Sequence, residues 1–273
     1  MQAIYVVSLP GSPRRESIAK ALDAHGVAFS FEDAVDAREL AVRELEQLYD
    51  EAAVVARYGR SMTAAEVACF LSHRAVWTRI AESGYGAIVL EDDALLDRPF
   101  FDHVLDWNQH AVSKAADIVL LGRSKVARSV SKYIAIHEPL KSWMTVDTLR
   151  IGFPFKQWTS GAVGYWISAS AARRMILETS NRIAALLDDW PFHRDSLGLR
   201  IAEVRPYVVW EAFETMPSSI EAGRRAVSIK RGRLRNALLQ PFRMARTCLR
   251  WLRILGRAST GRTNACVGRN DSA

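Results

Sequence analysis

The chain reads as an α/β protein built on a mixed, largely parallel sheet. Three observations predict this. Short apolar runs of strand length recur along residues 1–210 and alternate with stretches of helical spacing, the pattern that lays helices against a parallel sheet. Thr63 with Glu66 three residues on, then Gly84, then Ala87-Ile88-Val89-Leu90 read in succession as a capping box, a helix stop and a buried strand. That run ends in Glu91-Asp92-Asp93, and open α/β sheets bind ligands at the C-terminal ends of their strands.

The elements follow in order. Ile4–Leu9 is a first strand, broken by Pro10-Gly11-Ser12-Pro13. Arg14–His25 is an amphipathic helix with Ile18, Ala21 and Leu22 on one face, stopped by Gly26. Val27–Phe31 is a second strand, and residues 36–58 are helical. The capped helix carries Val67, Phe70, Leu71, Val76, Trp77 and Ile80 before Gly84 ends it. Asp117–Leu121 is a buried strand left through Gly122. Gly164–Ser168 is another, followed by a helix over Ala169–Glu178, and Ala202–Trp210 is the last strand. No GxGxxG follows the first strand, which excludes a dinucleotide fold of the usual kind.

Composition sets the outer bounds. With 273 residues, 49% hydrophobic and 25% charged, the chain can bury a substantial core as a soluble globular protein. Its 3 cysteines, Cys69, Cys248 and Cys266, are scattered and odd in number, which excludes a disulfide framework and points to a reducing compartment. Met1–Leu9 has no basic segment and no long apolar stretch, so it reads as a strand rather than a signal peptide. No window approaches the roughly 20 apolar residues of a membrane span. Charge is uneven: residues 222–273 carry 13 Lys and Arg against one acid, so residues 1–221 carry −5 of the chain's +7. The mildly acidic body argues against nucleic-acid binding across its surface.

Carboxylates as close as Glu91, Asp92 and Asp93 repel one another. They are most easily held ionised around a hard divalent cation with oxygen ligands, and such an ion commonly holds a phosphate. A solvated turn or an acidic helix N-terminus is the other reading of the tripeptide.

Several segments, taken in order and spacing, resemble glycosyltransferase family 25. They are Ile4–Leu9 followed by Arg14-Arg15, Phe29–Ala34, the helix with Glu66, Cys69, Ser72-His73 and Trp77, and Ile88–Asp93. Trp158, Gly161, Tyr165 and Ile167-Ser168, and then Asp188-Asp189, continue the resemblance, which covers about residues 3–220. It implies a GT-A-like fold, a UDP-sugar donor, inversion at the anomeric carbon and a divalent metal, Mn2+ or Mg2+. Galactose is the family's usual sugar, and lipooligosaccharide, lipopolysaccharide or a related surface glycan is the implied acceptor. Leu105–Phe155, including His137-Glu138 and Trp143, matches little of the family, so acceptor choice is expected to reside there.

The chemistry assigns candidates. Negative charge grows on the departing diphosphate, and a metal held by carboxylates neutralises it. Glu91 and Asp93 are the expected metal ligands, because side chains two apart in an extended segment share one side. Asp92 would then turn to the ribose or the donor sugar. Inversion needs a general base for the acceptor hydroxyl. Asp189 is the first candidate, Asp188 the second and Asp195 a distant third, with helix capping before Trp190-Pro191 the other reading of the pair. Arg14 and Arg15 are expected near the nucleotide, where arginine pairs with phosphate or stacks on uracil, or else in a solvated helical turn. The resemblance also points to donor contact by Ser72 and His73. Trp158-Thr159-Ser160-Gly161 is a candidate sugar edge or a loop-to-strand turn.

The C-terminal segment 222–257 reads as a basic amphipathic helical tail, and 258–273 is expected to be disordered. Leu238, Phe242, Ala245, Leu249 and Leu252 form one face. Arg243, Arg246, Arg250, Arg253 and Arg257 form a stripe about 100° away, with Trp251 available for the interface. This suits an anionic membrane surface beside a lipid-linked acceptor; packing on the acidic body is the other reading. With no signal peptide and no ER-retention ending read in the sequence, the expected enzyme is a bacterial one, cytoplasmic and peripheral on the inner face of the cytoplasmic membrane, with no nucleic-acid partner. A metal-dependent phosphohydrolase, or a non-catalytic membrane-surface protein using the tail, are the alternatives.

Overall fold

The structure, a computed structural model, describes residues 2–213, 240–259 and 266–267. The first half runs β1 (Ala3–Ser8), α1 (Arg14–Asp23), β2 (Ser30–Asp33), α2 (Val42–Leu48), α3 (Glu51–Tyr58), α4 (Ala64–Ser83), β3 (Ala87–Glu91), β4 (Ala94–Leu96), α5 (Gln109–Ala115) and β5 (Ile118–Leu120). It continues with α6 (Ser131–His137), β6 (Leu140–Val146), β7 (Leu149–Pro154), β8 (Gly164–Ile167), α7 (Ala169–Glu178), α8 (Trp190–Leu197), β9 (Ile201–Arg205) and β10 (Val209–Glu211). The described part of the tail adds α9 (Gln240–Ser259) and β11 (Cys266–Val267).

The architecture is α/β with a mixed, largely parallel sheet, in the order β11-β6-β7-β9-β5-β8-β3-β1-β2. Among the described strands only β7 and β8 run against the rest. Alternation along each strand splits the core into two layers. Ile4, Val6, Ile88 and Leu90 pack with Ile18 and Leu22 of α1 on one face. Val7 and Val89 pack on the other face with Phe70, Trp77 and Ile80 of α4 and Met175 of α7. Trp77 is fully buried, and truncating such a side chain to alanine removes about 3–5 kcal/mol.

Helix α4 positions the site, and its sequence explains it. Thr63 Oγ1 accepts the Glu66 N–H at 3.2 Å, and Glu66 Oε2 accepts the Thr63 N–H at 2.9 Å. The capping box satisfies two otherwise unpaired donors. Both Arg60 end nitrogens also donate to the Glu66 carboxylate, at 2.6 and 2.8 Å. Gly84, at φ 76, ends the helix in the left-handed conformation.

Four elements differ from the sequence expectation. Residues 36–58 form two helices, because Tyr49 bridges to Ile183 and Asp50 starts a new helix by accepting the Ala53 N–H. The second strand lies a few residues later, at Ser30–Asp33. Ala202–Trp210 is two strands in two sheets: β9 joins the main sheet, and β10 pairs antiparallel with β4. Pro206 between them has no N–H to give a ladder. Within 105–155 a hairpin, β6–β7, turns at Asp147-Thr148, with Asp147 at φ 52.

The expected boundary at 221/222 and Leu238 lie outside the described residues. Helix α9 docks on α6 and β6 through buried Thr247 and Ile254. Arg250 Nη1 donates to the His137 carbonyl at 2.9 Å, and Trp251 Nε1 donates to the Ile136 carbonyl at 2.8 Å. Arg250 and Trp251 are therefore body contacts rather than members of a free stripe. Phe242, Ala245, Leu249 and Leu252 point outward, as do Arg246 and Arg253. Among the described residues no helix is long and apolar enough to cross a membrane.

Candidate active site

The strands β1, β3, β5 and β9 run in one direction, so their C-terminal ends share one edge of the sheet. The small β4–β10 sheet lies over that edge. Gly122 bridges to Val209 there, and a Cβ on Gly122 would stand 2.1 Å from the Val209 carbonyl oxygen, so only glycine allows the approach. This crossing delivers Glu211, at the end of β10, to the acidic residues that end β3.

Glu91, Asp92, Asp93, Asp188 and Glu211 form one electrostatic group. Burial raises the Glu91 carboxyl well above its ordinary range, and the charges of Asp93, Glu211, Asp188 and Asp92 add to it. Burial and then Glu211 push Asp93 up to about 6, against the opposing charge of Arg14. Arg14 Nη1 donates to Asp93 Oδ2 at 3.2 Å and reaches Asp92 Oδ1 at 3.5 Å. Asp93 Oδ1 is buried with no hydrogen-bond partner among the described residues. Oxygen donors, surplus negative charge and an unpartnered carboxylate oxygen fit a hard divalent cation. Asp93 and Glu211 are the residues that would hold it; Glu91, expected as the second ligand, turns its carboxylate to His73 instead.

The sequence candidates separate into two groups. Glu91 and Asp93 belong to the cluster, but not through strand alternation, since β3 ends at Glu91 and Asp92-Asp93 form a turn. Glu91 lies on the Val89 face of the sheet, the one α4 covers, and its Oε1 stands 3.8 Å from His73 Nε2. Asp92 accepts the Ser8 and Ser12 hydroxyls at 2.7 and 3.0 Å. It ties the β1–α1 loop to the end of β3. Arg15 donates to the Ser8 carbonyl at 2.7 Å, pairs with Asp33 and covers the Phe31 ring. It holds the β1–β2 edge, and only Arg14 of the two turns to the carboxylates.

Ser72 is buried, donates to the Ala68 carbonyl and accepts the Val35 N–H, which fixes α4 against the loop after β2. His73 is fully buried. Its Nδ1 shares a 2.8 Å hydrogen bond with the Tyr165 hydroxyl, which also accepts from Trp77 Nε1 at 2.8 Å. Burial lowers the imidazole to about 3, so the ring is neutral at working pH.

Asp189 does different work from the expected base. It caps α8 by accepting the Phe192 N–H at 3.2 Å, takes the Tyr58 hydroxyl at 2.6 Å, and pairs with Arg57 through both oxygens. Burial pushes its carboxyl up, but the Arg57 and Tyr58 bonds outweigh that and hold it below its ordinary value. A carboxylate so saturated is a weak proton acceptor. Asp188 is half-buried and turns toward Glu91; its Oδ2 accepts the Gly161 N–H at 2.8 Å. Asp195 is exposed and pairs with Arg194. Trp158 carries Lys156 4.0 Å and Arg123 5.2 Å from its ring centre and donates to Glu138 at 3.0 Å. Cations already cover it.

A family model described as "Glycosyltransferase family 25 (LPS biosynthesis protein)" matches residues 1–190. The chain belongs to glycosyltransferase family 25. Procollagen galactosyltransferase 1 of Danio rerio is 27% identical over 175 residues, 60% of this chain and 26% of that protein. A Rattus norvegicus relative, named as a probable inactive glycosyltransferase 25 family member 3, is 29% identical over 132 residues, 45% of this chain and 23% of its own. The chain thus spans about a quarter of these relatives' length. A solved glycosyltransferase involved in glycosylation of the PBCV-1 major capsid aligns with TM-score 0.42 and 10% identity, over 82% of this chain and 98% of its own.

The family match stops short of Glu211, which the sequence reading also passed over. The signal was present: Val208-Val209-Trp210-Glu211 is an apolar run ending in an acid, the pattern that marked Leu90-Glu91.

Proposed function

We propose that this family 25 chain is a divalent-metal-assisted, inverting glycosyltransferase. It moves a hexose, galactose first, from a UDP-sugar to a lipooligosaccharide, lipopolysaccharide or related surface glycan. The carboxylate cluster at the C-terminal edge of the sheet, with its unpartnered Asp93 oxygen, carries the reading. The galactosyl donor is supported by the names of the relatives. A divalent ion, Mn2+ or Mg2+, would supply neutralisation of the charge that grows on the diphosphate. Arg14, a half-buried cation on the same edge, adds charge that stays in place. Asp188 is the base for the acceptor hydroxyl: it faces the cluster from the loop before α8, oriented by the Gly161 N–H.

The outward faces of α9 support docking on an anionic membrane surface, on the cytoplasmic side, where a lipid-linked acceptor would be presented. Calorimetric titration with UDP, with and without Mn2+, tests the donor site. Binding that requires the metal supports it, and a folded protein that binds UDP in neither condition refutes it. Asp188→Asn should lower turnover by about 10²–10⁴-fold with UDP affinity kept; equal losses in both would remove the base assignment.

A further inference from the structure

The carboxylate cluster has a neighbour of different chemistry. On α4, Cys69 and His73 are one helical turn apart and face the same way. The Cys69 sulfur, a ring nitrogen of His73 and a Glu91 carboxylate oxygen lie within 4.8 Å of one another. His73 Nε2 is buried without a hydrogen-bond partner among the described residues and points at Glu91 from 3.8 Å. That separation is too long for a hydrogen bond. It fits a shared ion, since a tetrahedral centre with bonds of about 2.0–2.3 Å holds its ligand atoms about 3.3–3.8 Å apart.

We propose that Cys69, His73 and Glu91 form a second metal site, distinct in chemistry from the oxygen-only cluster, that takes a borderline transition ion such as Zn2+. A sulfur, nitrogen and oxygen donor set selects zinc or cobalt over magnesium. The second shell is in place: with the ion bound, Nδ1–H donates to the Tyr165 oxygen, whose other lone pair takes the Trp77 N–H. Glu91 keeps 26% of its side chain exposed, so the ion enters from the active-site side and a fourth position stays open to water. Binding releases the Cys69 thiol proton to solvent. The ion pins α4 to the end of β3 and neutralises Glu91.

Cobalt(II) added to the metal-free full-length protein, with Cys248→Ser and Cys266→Ser introduced to silence the other thiols, tests this. The expected result is a thiolate-to-cobalt charge-transfer band with intense tetrahedral d–d bands, displaced by Zn2+. Cys69→Ser should abolish the charge-transfer band. Glu91→Gln, which keeps the thiol and the volume of the side chain, should weaken cobalt binding at least ~10-fold. A protein that shows no charge-transfer band at saturating cobalt overturns the proposal, as does a band that survives Cys69→Ser. The readout involves no nucleotide, so its failure is separate from failure of the transferase reading.

Discussion

The cost of assembling the carboxylates can be measured at Asp93. Its carboxyl ionises near pH 6 in the fold against 3.8 in a model peptide. Between these values the folded state holds the proton that the unfolded state has lost, so stability falls as pH rises through the window. Above pH 6 both states are ionised, and the fold carries the full cost of about 3 kcal/mol. Asp93→Asn keeps the shape of the protonated acid and leaves Arg14 its contact with Asp92. In EDTA at pH 7.5 the variant should be more stable by about 3 kcal/mol in urea denaturation, or on the order of 5–10 °C in Tm. By pH 4 the gain should shrink below about 1 kcal/mol. Mn2+ should raise the Tm of the wild type and not of the variant. A variant less stable than the wild type at pH 7.5, or a gain that does not vary with pH, would refute the reasoning.

Asp189→Ala should destabilise the fold by about 2–3 kcal/mol, since it removes the α8 cap and strands Arg57, whose partial exposure softens the loss. Turnover per folded molecule should stay within a few-fold; a hundredfold loss of kcat at unchanged stability would restore Asp189 as the base. On α9, exposed Leu249 and Leu252 each bring about 1.5–3 kcal/mol of burial to a membrane. The pair Leu249→Ser and Leu252→Ser should lower flotation with anionic vesicles at least ~10-fold and leave turnover on a soluble acceptor intact. Equal flotation of the pair and the wild type, or no wild-type flotation at all, would count against membrane docking.

Much of the framework was legible because single residue types dictate it. β1, β3, β5 and β8 are continuous apolar runs, as strands buried on both faces must be. Thr63, Glu66 and Gly84 mark both ends of α4 with side-chain chemistry alone. The β6–β7 hairpin escaped because Ser142 and Trp143 interrupt the alternation of β6, and its turn lacks glycine. At the site, Glu91 and Asp93 were visible as acids behind a strand. The engagement of Asp189 by Arg57 and Tyr58 was not, since only the packing of α3 brings these two residues to it. Ser72 was a candidate through the family resemblance: its bond to the Ala68 carbonyl is set within α4, but its Val35 partner appears only once α4 is laid against the loop after β2.

The crossing of β10 over the sheet has a consequence for how the protein is made. Glu211 reaches the cluster only after β9 has been inserted between β5 and β7, so the acidic site is closed by nearly the last strand of the body to leave the ribosome. A fragment ending at residue 190, where the family match stops, lacks both strands. It leaves the Gly122 notch open and Asp93 facing fewer charges. The framework strands β1, β3, β5 and β8 are therefore all synthesised before Glu211, and the mutual repulsion of the carboxylates is completed only by the last strand of the body.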